Sequence, residues 1–546
     1  MRYLALAHNE WDADTRRSKA KVLYNFGRED QLDRDALTRL VASINRYLGV
    51  DEPPAAGADT PASAAAVAAL GFVAARRLGG VWALDGLWDQ LGIATTLRTL
   101  AAGRRFTTDV ERVVFALVAN RALEPTSKLA ATQWVAERAW IPGLEVVSDD
   151  ACYRAMDWLL EIADELAEQT YWATADLLNL EVDLLFFDTT STYFETDTAD
   201  AGEGEAAVGF RSYGKSKDHR ADLPQIVIGM AVTRSGIPIR VWTWPGNTGD
   251  SPLIREVKDD LRAWKRSRVV WVTDRGFASA ENRRYLQRAG GHYICGEKLR
   301  GDSPEAAAAL ARQGRYRTVA GNLRVKEVVV DDGAMRDRFV ICHNPDAAER
   351  DRMVRDQLLA RLTEAIADTD RLDPDQRAAV AARLPAGLRR FLRTTPGGKL
   401  RIDRAAVAAE ERLDGTFLLR TSDPTLSAED VALGYKQLLE VERGWRDMKS
   451  TLELRPIFHR LEDRIRAHVI LCWLALLLIR VAEATTGDTW RRLRQELDRL
   501  HVGTFTGPAG TVAQRTDITG RQHAILRALD VDAPPRFLDV DPTTSG

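Results

Sequence analysis

The feature that most constrains the fold is a series of short apolar segments that alternates with helical patterns in the middle of the chain. The segment VDLLFF (182–187) is apolar and rich in residues that favour strands. Two more segments (225–232 and 237–244) flank a Ser-Gly turn signal, which predicts an antiparallel hairpin. Two helical patterns then alternate with RVVWVTD (268–274) and HYICGEK (292–298). The order strand, strand, strand, helix, strand, helix, strand predicts an α/β fold with a mixed sheet.

Other patterns divide the rest of the chain around this sheet. With 546 residues, about three or four domains are expected. Residues 51–66 are rich in Ala, Pro, Gly and Asp and predict a linker. The predicted regions are an N-terminal segment and linker (1–66), a helical region (67–180), the first part of the core (181–300), a β-rich insertion domain (301–430), the second part of the core (431–485) and a C-terminal helical tail (486–546).

The helical region contains one candidate for a DNA-binding motif. Pro125 lies between two helical patterns, and Thr126 or Ser127 can cap the second helix. The arrangement is compatible with a helix-turn-helix, and an ordinary helical hairpin is the favoured alternative. The sequence alone leaves both open.

Composition and local patterns exclude several classes of protein. The four cysteines form no CxxC pair, which excludes a zinc finger and a disulfide scaffold and predicts reduced thiols in the cytoplasm. The acidic residues at 10–14 are unlike a signal peptide. The apolar run 469–479 is shorter than the roughly 20 residues that span a bilayer, so it predicts a buried core helix. The formal net charge of -3 means that any nucleic-acid-binding surface must be local.

Two acidic residues follow buried strand patterns. Asp188 comes after LLFF, and Asp274 comes after VVWVT. A carboxylate beside buried apolar residues is costly unless a partner compensates its charge. If the two strands are neighbours, both carboxylates open on one edge of the sheet, where oxygen ligands suit Mg²⁺ or Mn²⁺. Either residue taken alone is better explained as a capping or turn aspartate.

A third acidic residue lies on a helical pattern near residue 440. Tyr435, Glu442 and Lys449 are spaced by seven residues, which predicts that they lie along one stripe of a helix. Trp445 and Arg446 follow at i+3 and i+4 from Glu442 and are expected on the same face. A core-facing stripe is apolar, so this one is predicted to be functional. The alternative is a solvated stripe with incidental ion pairs.

These segments resemble a known family. FFDTTSTYFE, VTDRGFASAENRRYL and YKQLLEVERGWRDMKSTLELRPIFHRLEDRIRAHVILC are similar to the three core motifs of DDE transposases of bacterial insertion sequences. They most resemble the insertion-sequence-four superfamily, which carries a Tyr-Arg-Glu-Lys signature. The N-terminal LAHNEWDADTRRSKAKVLYNFGRED and the segment PTSKLAATQW resemble its insertion-sequence sixteen-thirty-four group. In one departure, Leu438 stands at the signature arginine, and Arg446 is the candidate replacement.

The resemblance implies a fold and a reaction. The fold is an RNase H-like catalytic core interrupted by a β-rich insertion. The catalytic and metal-binding residues are Asp188, Asp274 and Glu442, which hold two Mg²⁺ or Mn²⁺ ions with Asp188 bridging them. Cleavage and strand transfer then proceed by in-line attack of water or a DNA 3′-hydroxyl on a phosphodiester. Tyr435 and Lys449 are expected to hold a DNA phosphate near the scissile bond.

The resemblance also implies partners and a location. The partners are double-stranded DNA, as the terminal inverted repeats of the element and as target DNA, and a second copy of the chain in the DNA complex. The helical region 67–180 is the expected end-recognition module. The protein is expected in the cytoplasm, associated with the nucleoid and not with a membrane. A catalytically inactive repressor derived from a transposase is the alternative.

Two groups of basic residues surround the second and third motifs, although acids are interleaved with both. Arg275 and Arg446 are expected to contact DNA, and Trp445 is expected to stack on an unpaired base or to pack in the core. A solvated helix face is the alternative for each group. The groups are Arg262, Lys265, Arg266, Arg268, Arg275, Arg283, Arg284 and Arg288, and then Arg443, Arg446, Lys449, Arg455, Arg460, Arg464 and Arg466.

A P-loop pattern offers a further alternative, a nucleotide hydrolase. Residues 209–216, GFRSYGKS, match GxxxxGK[ST], and Asp274 then takes the place of a Walker B acid. A P-loop needs a preceding strand and a helix that begins at its lysine. Here Pro224 and a strand pattern follow within a few residues, which argues against this function. Basic residues of the segment are instead expected on a loop near the active site; these are Arg211, Lys215, Lys217, His219 and Arg220.

Overall fold

The structure, a computed structural model of the chain, falls into two units, Met1–Leu70 and Gly71–Gly546. In the first unit, strand β1 (Tyr3–Asp12) pairs antiparallel with strand β2 (Arg17–Arg28). The predicted linker at 51–66 lies outside the described residues. The structure describes residues 3–12, 17–28, 71–178, 184–202, 209–262, 264, 269–300, 303–331, 336–508 and 510–542.

A nine-stranded mixed sheet forms the centre of the second unit, which confirms the predicted α/β class. Its order is β6-β5-β4-β7-β8-β14-β11-β10-β9. The strands are β4 (Leu184–Tyr193), β5 (Gln225–Thr233), β6 (Pro238–Pro245), β7 (Val270–Thr273), β8 (His292–Glu297), β9 (Arg317–Ala320), β10 (Leu323–Asp331), β11 (Arg336–His343) and β14 (Thr416–Thr421). The pairs β4–β7 and β7–β8 are parallel, and the other pairs are antiparallel. The predicted order of strands and helices from β4 to β8 is confirmed.

The predicted insertion domain is not a separate body, because its strands extend the central sheet. β14 pairs antiparallel with β8, and Leu418 lies opposite Glu297. An unpaired edge of β8 would leave backbone donors and acceptors without partners, and β14 satisfies them. The remaining elements of this segment are helices α9 (Pro304–Ala311), α10 (Pro345–Ile366), α11 (Pro374–Arg383), α12 (Ala386–Arg389) and α13 (Arg404–Glu411), and the small hairpin β12 (Leu392–Thr394) and β13 (Leu400–Ile402).

Both ends of the second unit contain strands where only helices were predicted. β3 (Gly71–Arg77) pairs with β15 (His501–Gly507), which continues the sheet through β16 (Gly510–Arg515) to β17 (Phe537–Pro542). β15 and β16 are half-buried and rich in Gly and Thr, and β3 and β17 are mostly exposed, so these strands lack the strong alternation that identifies strands in a sequence. The C-terminal helices are α17 (Trp490–Leu497) and α18 (Gly520–Ala528).

The helical region between β3 and β4 resembles the helical hairpin and not a helix-turn-helix. Its helices are α1 (Gly79–Gln90), α2 (Ile93–Ala101), α3 (Val110–Leu123), α4 (Lys128–Gln133), α5 (Asp149–Glu161) and α6 (Ala163–Leu177). Ser127 caps α4 by accepting a hydrogen bond from the Ala130 amide, as predicted. However, every residue of α3 is buried, and Lys128 is buried with its Nζ 3.5 Å from Nδ1 of His468. Burial lowers the pKa of Lys128 to about 7, so this lysine belongs to the core.

The long helix α16 (Glu462–Thr486) is the apolar centre of the second unit. It contains the apolar run 469–479 and packs against α3, α5 and β6. The helix has 25 residues, more than the eleven of the run, and is the one helix among the described residues with the length and hydropathy of a membrane span. Most of its apolar stretch, 89%, is buried inside the protein, which agrees with the predicted core helix.

Helices on the two faces of the sheet carry the third motif and connect the strands. They are α7 (Asp250–Arg262), α8 (Ala280–Gln287), α14 (Ala428–Lys436) and α15 (Leu439–Ser450). Buried Arg480 of α16 fixes α15 in place, because its guanidinium bonds Asp447 of α15 and Glu483 of α16, each at 2.6 Å. Arg443 of α15 also reaches Glu483, at 3.1 Å, but its side chain is about half exposed.

We expect Arg480→Met to lower the free energy of unfolding by about 3 kcal/mol, because it leaves two carboxylates without their buried cation. The matched variant Arg443→Met removes an exposed partner of the same Glu483 and should cost under about 1 kcal/mol. Urea unfolding followed by circular dichroism measures both. Equal losses in the two variants would contradict this account of how α15 is held.

Candidate active site

Parallel pairing of β4 with β7 brings the first two predicted acids together. Phe187 lies opposite Thr273 in the sheet, so Asp188 and Asp274 are the next residues on neighbouring strands. The sequence suggested that Asp188 lies at a strand end, but β4 continues beyond it to Tyr193, and this last part of β4 pairs with β5 alone. Asp188 lies instead where β7 stops, and the missing neighbour leaves its carboxyl group partly open, with 24% of the side chain exposed.

The third acid reaches the same place from the helix α15. A pocket of about 350 Å³ is lined by Asp188, Asp274 and Glu442, which are up to 254 positions apart in the chain. Glu442 is exposed and makes no hydrogen bond or ion pair to the part of the chain that is described. The other lining residues are Phe417, Tyr435, Lys436, Leu438 and Leu439. The structure therefore brings the three predicted acids into one pocket, and Leu438, at the signature arginine position, lies in its wall.

The helical stripe predicted from Tyr435 to Lys449 is interrupted. Tyr435 lies on α14, whereas Glu442 and Lys449 lie on α15. Between the helices, the Gln437 and Leu438 amides donate to carbonyls three residues back, which is the tighter pattern of a 3₁₀ turn. The seven-residue spacing missed this break because such a turn requires no Pro or Gly.

Tyr435 is held against Asp274. Its hydroxyl donates to Oδ1 of Asp274 at 3.4 Å, and its ring stacks on Phe417 with the centroids 6.2 Å apart. Burial and the adjacent Asp274 raise the pKa of the Tyr435 phenol, so it remains protonated and can donate. Gly296 leaves room for this hydroxyl, because a Cβ there would lie 2.4 Å from it.

Sequence reasoning missed how closely one cation lies to the acids. Nζ of Lys217 is 4.0 Å from Oδ1 of Asp188 and 3.3 Å from Oδ2 of Asp250, and it donates to the carbonyl and hydroxyl oxygens of Thr189, both at 2.6 Å. Asp250, the first residue of α7, also accepts from the Thr189 hydroxyl at 2.8 Å. The P-loop pattern drew attention to the loop that carries Lys217, but the lysine of that pattern is Lys215.

The nucleotide-hydrolase alternative is not supported. No helix begins at Lys215, and residues 209–224 form a loop with a single bridge between Ser212 and Gln225. A P-loop holds phosphate with the amides of a helix N-terminus, which this loop does not have.

The predicted DNA-contacting residues differ in their environment. Lys449 is mostly buried, and its Nζ donates to Asp218 at 2.9 Å and to the Thr190 hydroxyl at 2.8 Å. Arg275 and Arg446 are exposed, and within the described ranges neither side chain has an ion pair. Trp445 is only 6% exposed and belongs to the core, so in this conformation it cannot stack on a base. The predicted shared face of Trp445 and Arg446 is therefore a boundary between core and solvent.

Of the twelve members of the two basic groups that the structure describes, six are paired with acids, as in the solvated-face alternative; these are Lys449 and five arginines. Five of the arginines have carboxylate partners within 3.3 Å. The pairs are Arg283–Glu297, Arg443–Glu483, Arg455–Asp218, Arg464–Asp157 and Arg466–Glu462. Arg275 and Arg446 belong to the other six, which are exposed and have no ion pair to the described part of the chain; the rest of these are Arg262, Arg284, Arg288 and Arg460.

Excess negative charge is concentrated at Asp188. Burial raises the pKa of its carboxyl to about 6, Lys217 opposes this shift, and Asp274 and Asp250 add to it. A pocket lined by three carboxylates, with Asp188 carrying the raised pKa, fits a hard divalent cation in its donor chemistry. In the described ranges, however, no three His, Cys, Asp or Glu side chains are gathered closely enough to hold an ion as they stand.

Comparison with known proteins gives a clear family. The sequence matches the family described as the transposase DDE domain over residues 185–478, more than half of the chain and all three acids. No curated protein matches. Among solved structures, a piggyBac transposase in a synaptic complex with hairpin DNA matches with 12% identity and a TM-score of 0.35, over 77% of this chain and 79% of that chain. A TM-score this low does not allow the two folds to be compared element by element.

We expect Asp188→Asn to stabilise the protein at pH 8 by roughly 1–3 kcal/mol. The folded-state pKa of about 6 lies above the ordinary value of 3.8, so folding is penalised when the carboxyl is charged in both states. The penalty is full above pH 6 and is lost as the pH falls through 6 towards 4, so the gain should vanish near pH 4. Urea unfolding at both pH values measures it. The exposed Asp222→Asn should give no gain at pH 8, and a pH-independent effect of Asp188→Asn would contradict the electrostatic origin.

Proposed function

Because this chain belongs to the family that carries the transposase DDE domain, we propose that it is the transposase of a bacterial insertion sequence. It binds the terminal inverted repeats of its element, cuts the DNA there and joins the ends to target DNA. The observation that carries the proposal is the meeting of Asp188, Asp274 and Glu442 in one pocket. The insertion-sequence-four superfamily, sixteen-thirty-four group, is the proposed branch, supported by the three core motifs.

The proposed catalytic core has an RNase H-like layout. It is supported by the antiparallel β5–β6 hairpin that joins β4, and by the parallel pairing of β4, β7 and β8 on the other side. In this layout the acids come from β4, from the end of β7 and from the following helix α15. The insertion separates β8 from that helix.

The chemistry we propose follows from the residues of the pocket. Asp188, Asp274 and Glu442 would hold two divalent ions, Mg²⁺ or Mn²⁺, and Asp188 would be the central ligand, since it lies beside Asp274 in the sheet. When bound, such ions supply Lewis-acid stabilisation of the attacking and leaving oxygens. The attacking group is water or a DNA 3′-hydroxyl, so no side chain forms a covalent intermediate. The carboxylates hold negative charge in fixed positions, and in a partly buried pocket the electrostatic interactions of that charge are stronger than in water.

The remaining predicted residues are proposed to orient the DNA. Tyr435 is a neutral donor at the pocket wall, next to Asp274. Lys449 supplies a cation on the same helix as Glu442, and the uncompensated Arg275 and Arg446 contact the backbone. Two transposon ends must be held together for transfer, so the DNA complex contains at least two copies of the chain. The protein acts in the cytoplasm, at the nucleoid.

We expect Asp188→Ala, Asp274→Ala and Glu442→Ala each to lower Mg²⁺-dependent strand cleavage of end DNA by about 10²–10³-fold or more, because each removes pre-arranged charge from the reaction centre. Gel-shift binding of the same DNA should remain. The exposed Asp222→Ala is the matched control and should cleave normally. Binding without any cleavage by the parent protein would instead identify a repressor.

We expect Arg446→Ala to reduce the slope of log Kd against log salt concentration by about 1, because one phosphate contact releases about 0.9 of a counterion. Arg371→Ala is the matched control, since its side chain is 87% exposed in the segment between α10 and α11. Fluorescence anisotropy with labelled duplex DNA at several salt concentrations gives both slopes. An unchanged slope for Arg446→Ala would remove this residue from the DNA interface.

A further inference from the structure

The ammonium group of Lys217 is surrounded by oxygen atoms in a way that resembles a bound metal cation. It contacts the Asp188 and Asp250 carboxylates and two oxygens of Thr189, at distances from 2.6 to 4.0 Å. A carbonyl, a hydroxyl and two carboxylates are the oxygen donors that a hard cation binds. One-third of the Lys217 side chain remains exposed, so solvent has access to this position.

The next residue, Asp218, is bound by cations in a way that resembles a bound phosphate. Lys449 donates to its Oδ1 at 2.9 Å, and Nη1 of Arg455 lies 2.9 Å from its Oδ2. Lys449 also donates to the Thr190 hydroxyl at 2.8 Å, which brings a hydroxyl group beside the two cations. Two cations and a hydroxyl are the donors that commonly hold a phosphate oxygen.

The loop that carries both residues is attached near its ends and by few bonds between them. The Ser212–Gln225 bridge closes it, and the Lys217 amide donates to the Ser191 hydroxyl at 2.8 Å. His219 follows Asp218 with a φ of 59°, a left-handed conformation that a non-glycine residue adopts at some cost. The amides of Asp218 and Arg220 donate to Ser216 Oγ within the same loop, so between its ends the loop is held to the sheet mainly by the Lys217 amide and by the side chains of Lys217 and Asp218.

We propose that Lys217 and Asp218 are internal occupants of a cation site and a phosphate site of the active centre. The cation site is formed by Asp188, Asp250 and Thr189, and the phosphate site by Thr190, Lys449 and Arg455. A divalent ion replaces the ammonium group, and a DNA phosphate replaces the carboxylate. The inference rests on the proposed function and adds Asp250 to the metal-binding residues.

Adjacency of the two occupants has a thermodynamic consequence. Lys217 and Asp218 are consecutive, so a ligand that displaces one also weakens the contacts of the other. Metal and DNA then bind with positive coupling, because each binding event removes part of the cost of moving the loop for the other. Without both ligands, Lys217 of the loop compensates Asp188 and Asp250, and Asp218 compensates Lys449 and Arg455.

The first test is hydrogen exchange of the full-length protein with and without Mn²⁺, in the absence of DNA. Addition of Mn²⁺ should increase the exchange of amides in residues 213–222 about tenfold, and Lys217→Met should show the faster exchange without metal. Unchanged or slower exchange in this segment on Mn²⁺ binding would overturn the proposal. If Lys217 had a purely structural role, Mn²⁺ would not change the exchange of these amides.

The second test is a Mn²⁺ titration followed by electron paramagnetic resonance. Lys217→Met should bind Mn²⁺ about tenfold more tightly than the parent. This figure applies if the state in which Lys217 fills the cation site is about tenfold more populated than the state in which the site is open, because the variant removes that competition. Lys215→Met makes the same charge change on the same loop and should bind as the parent does. Equal tightening in both variants would reduce the effect to general charge and overturn the proposal.

A third measurement addresses the phosphate site without metal. Asp218→Asn should bind a random-sequence DNA duplex more tightly than the parent, whereas Asp222→Asn, the matched change on the same loop, should not. Equal gains in both variants would overturn this half of the inference.

The Mn²⁺ titration separates failure of this inference from failure of the proposed function. If Mn²⁺ binds neither the parent nor Lys217→Met, the proposed function fails. If the parent binds Mn²⁺, Asp188→Ala abolishes that binding and Lys217→Met leaves the affinity unchanged, only the present inference fails.

Discussion

Parallel pairing of β4 with β7 is the constraint on which the candidate site depends. The register that places Phe187 opposite Thr273 also places Asp188 beside Asp274. A shift of one residue would turn one of the two side chains to the other face of the sheet. The buried side chains of both strands hold this register, since every residue from Leu184 to Phe187 and from Val270 to Thr273 is buried. Packing of apolar side chains therefore fixes the position of the charged ones.

The features of the fold that depend on local pattern could be predicted from the sequence. The β5–β6 hairpin was indicated by its Ser-Gly turn, and Gly236 indeed has the positive φ, 78°, that such a turn favours. The strand order up to β8 followed from short apolar segments that alternate with helical ones. The sequence also predicts that Asp188 and Asp274 meet if their strands are neighbours, and the strands are neighbours, although Asp188 lies within β4 and not at its end.

Features that depend on pairing between distant segments could not be predicted. Nothing in the sequence of β14 specifies β8 as its partner, so the sequence predicts a separate domain where the structure extends the sheet. The short turn at Gln437–Leu438 needs no characteristic residue and was missed within a helical pattern. Lys217 and Asp250 are ordinary loop and helix-start residues in the sequence, and only the folded chain shows that they surround Thr189 and Asp188.

The pairing of β14 with β8 also changes how the long segment between β8 and α14 should be viewed. Phe417, which lines the pocket and supports the Tyr435 ring, lies on β14 and so belongs to that segment. One wall of the pocket is thus built by residues that a domain diagram would draw as an accessory. In evolutionary terms, the core and this segment cannot be exchanged as independent modules, because a change in the segment that moves β14 also changes the wall of the pocket.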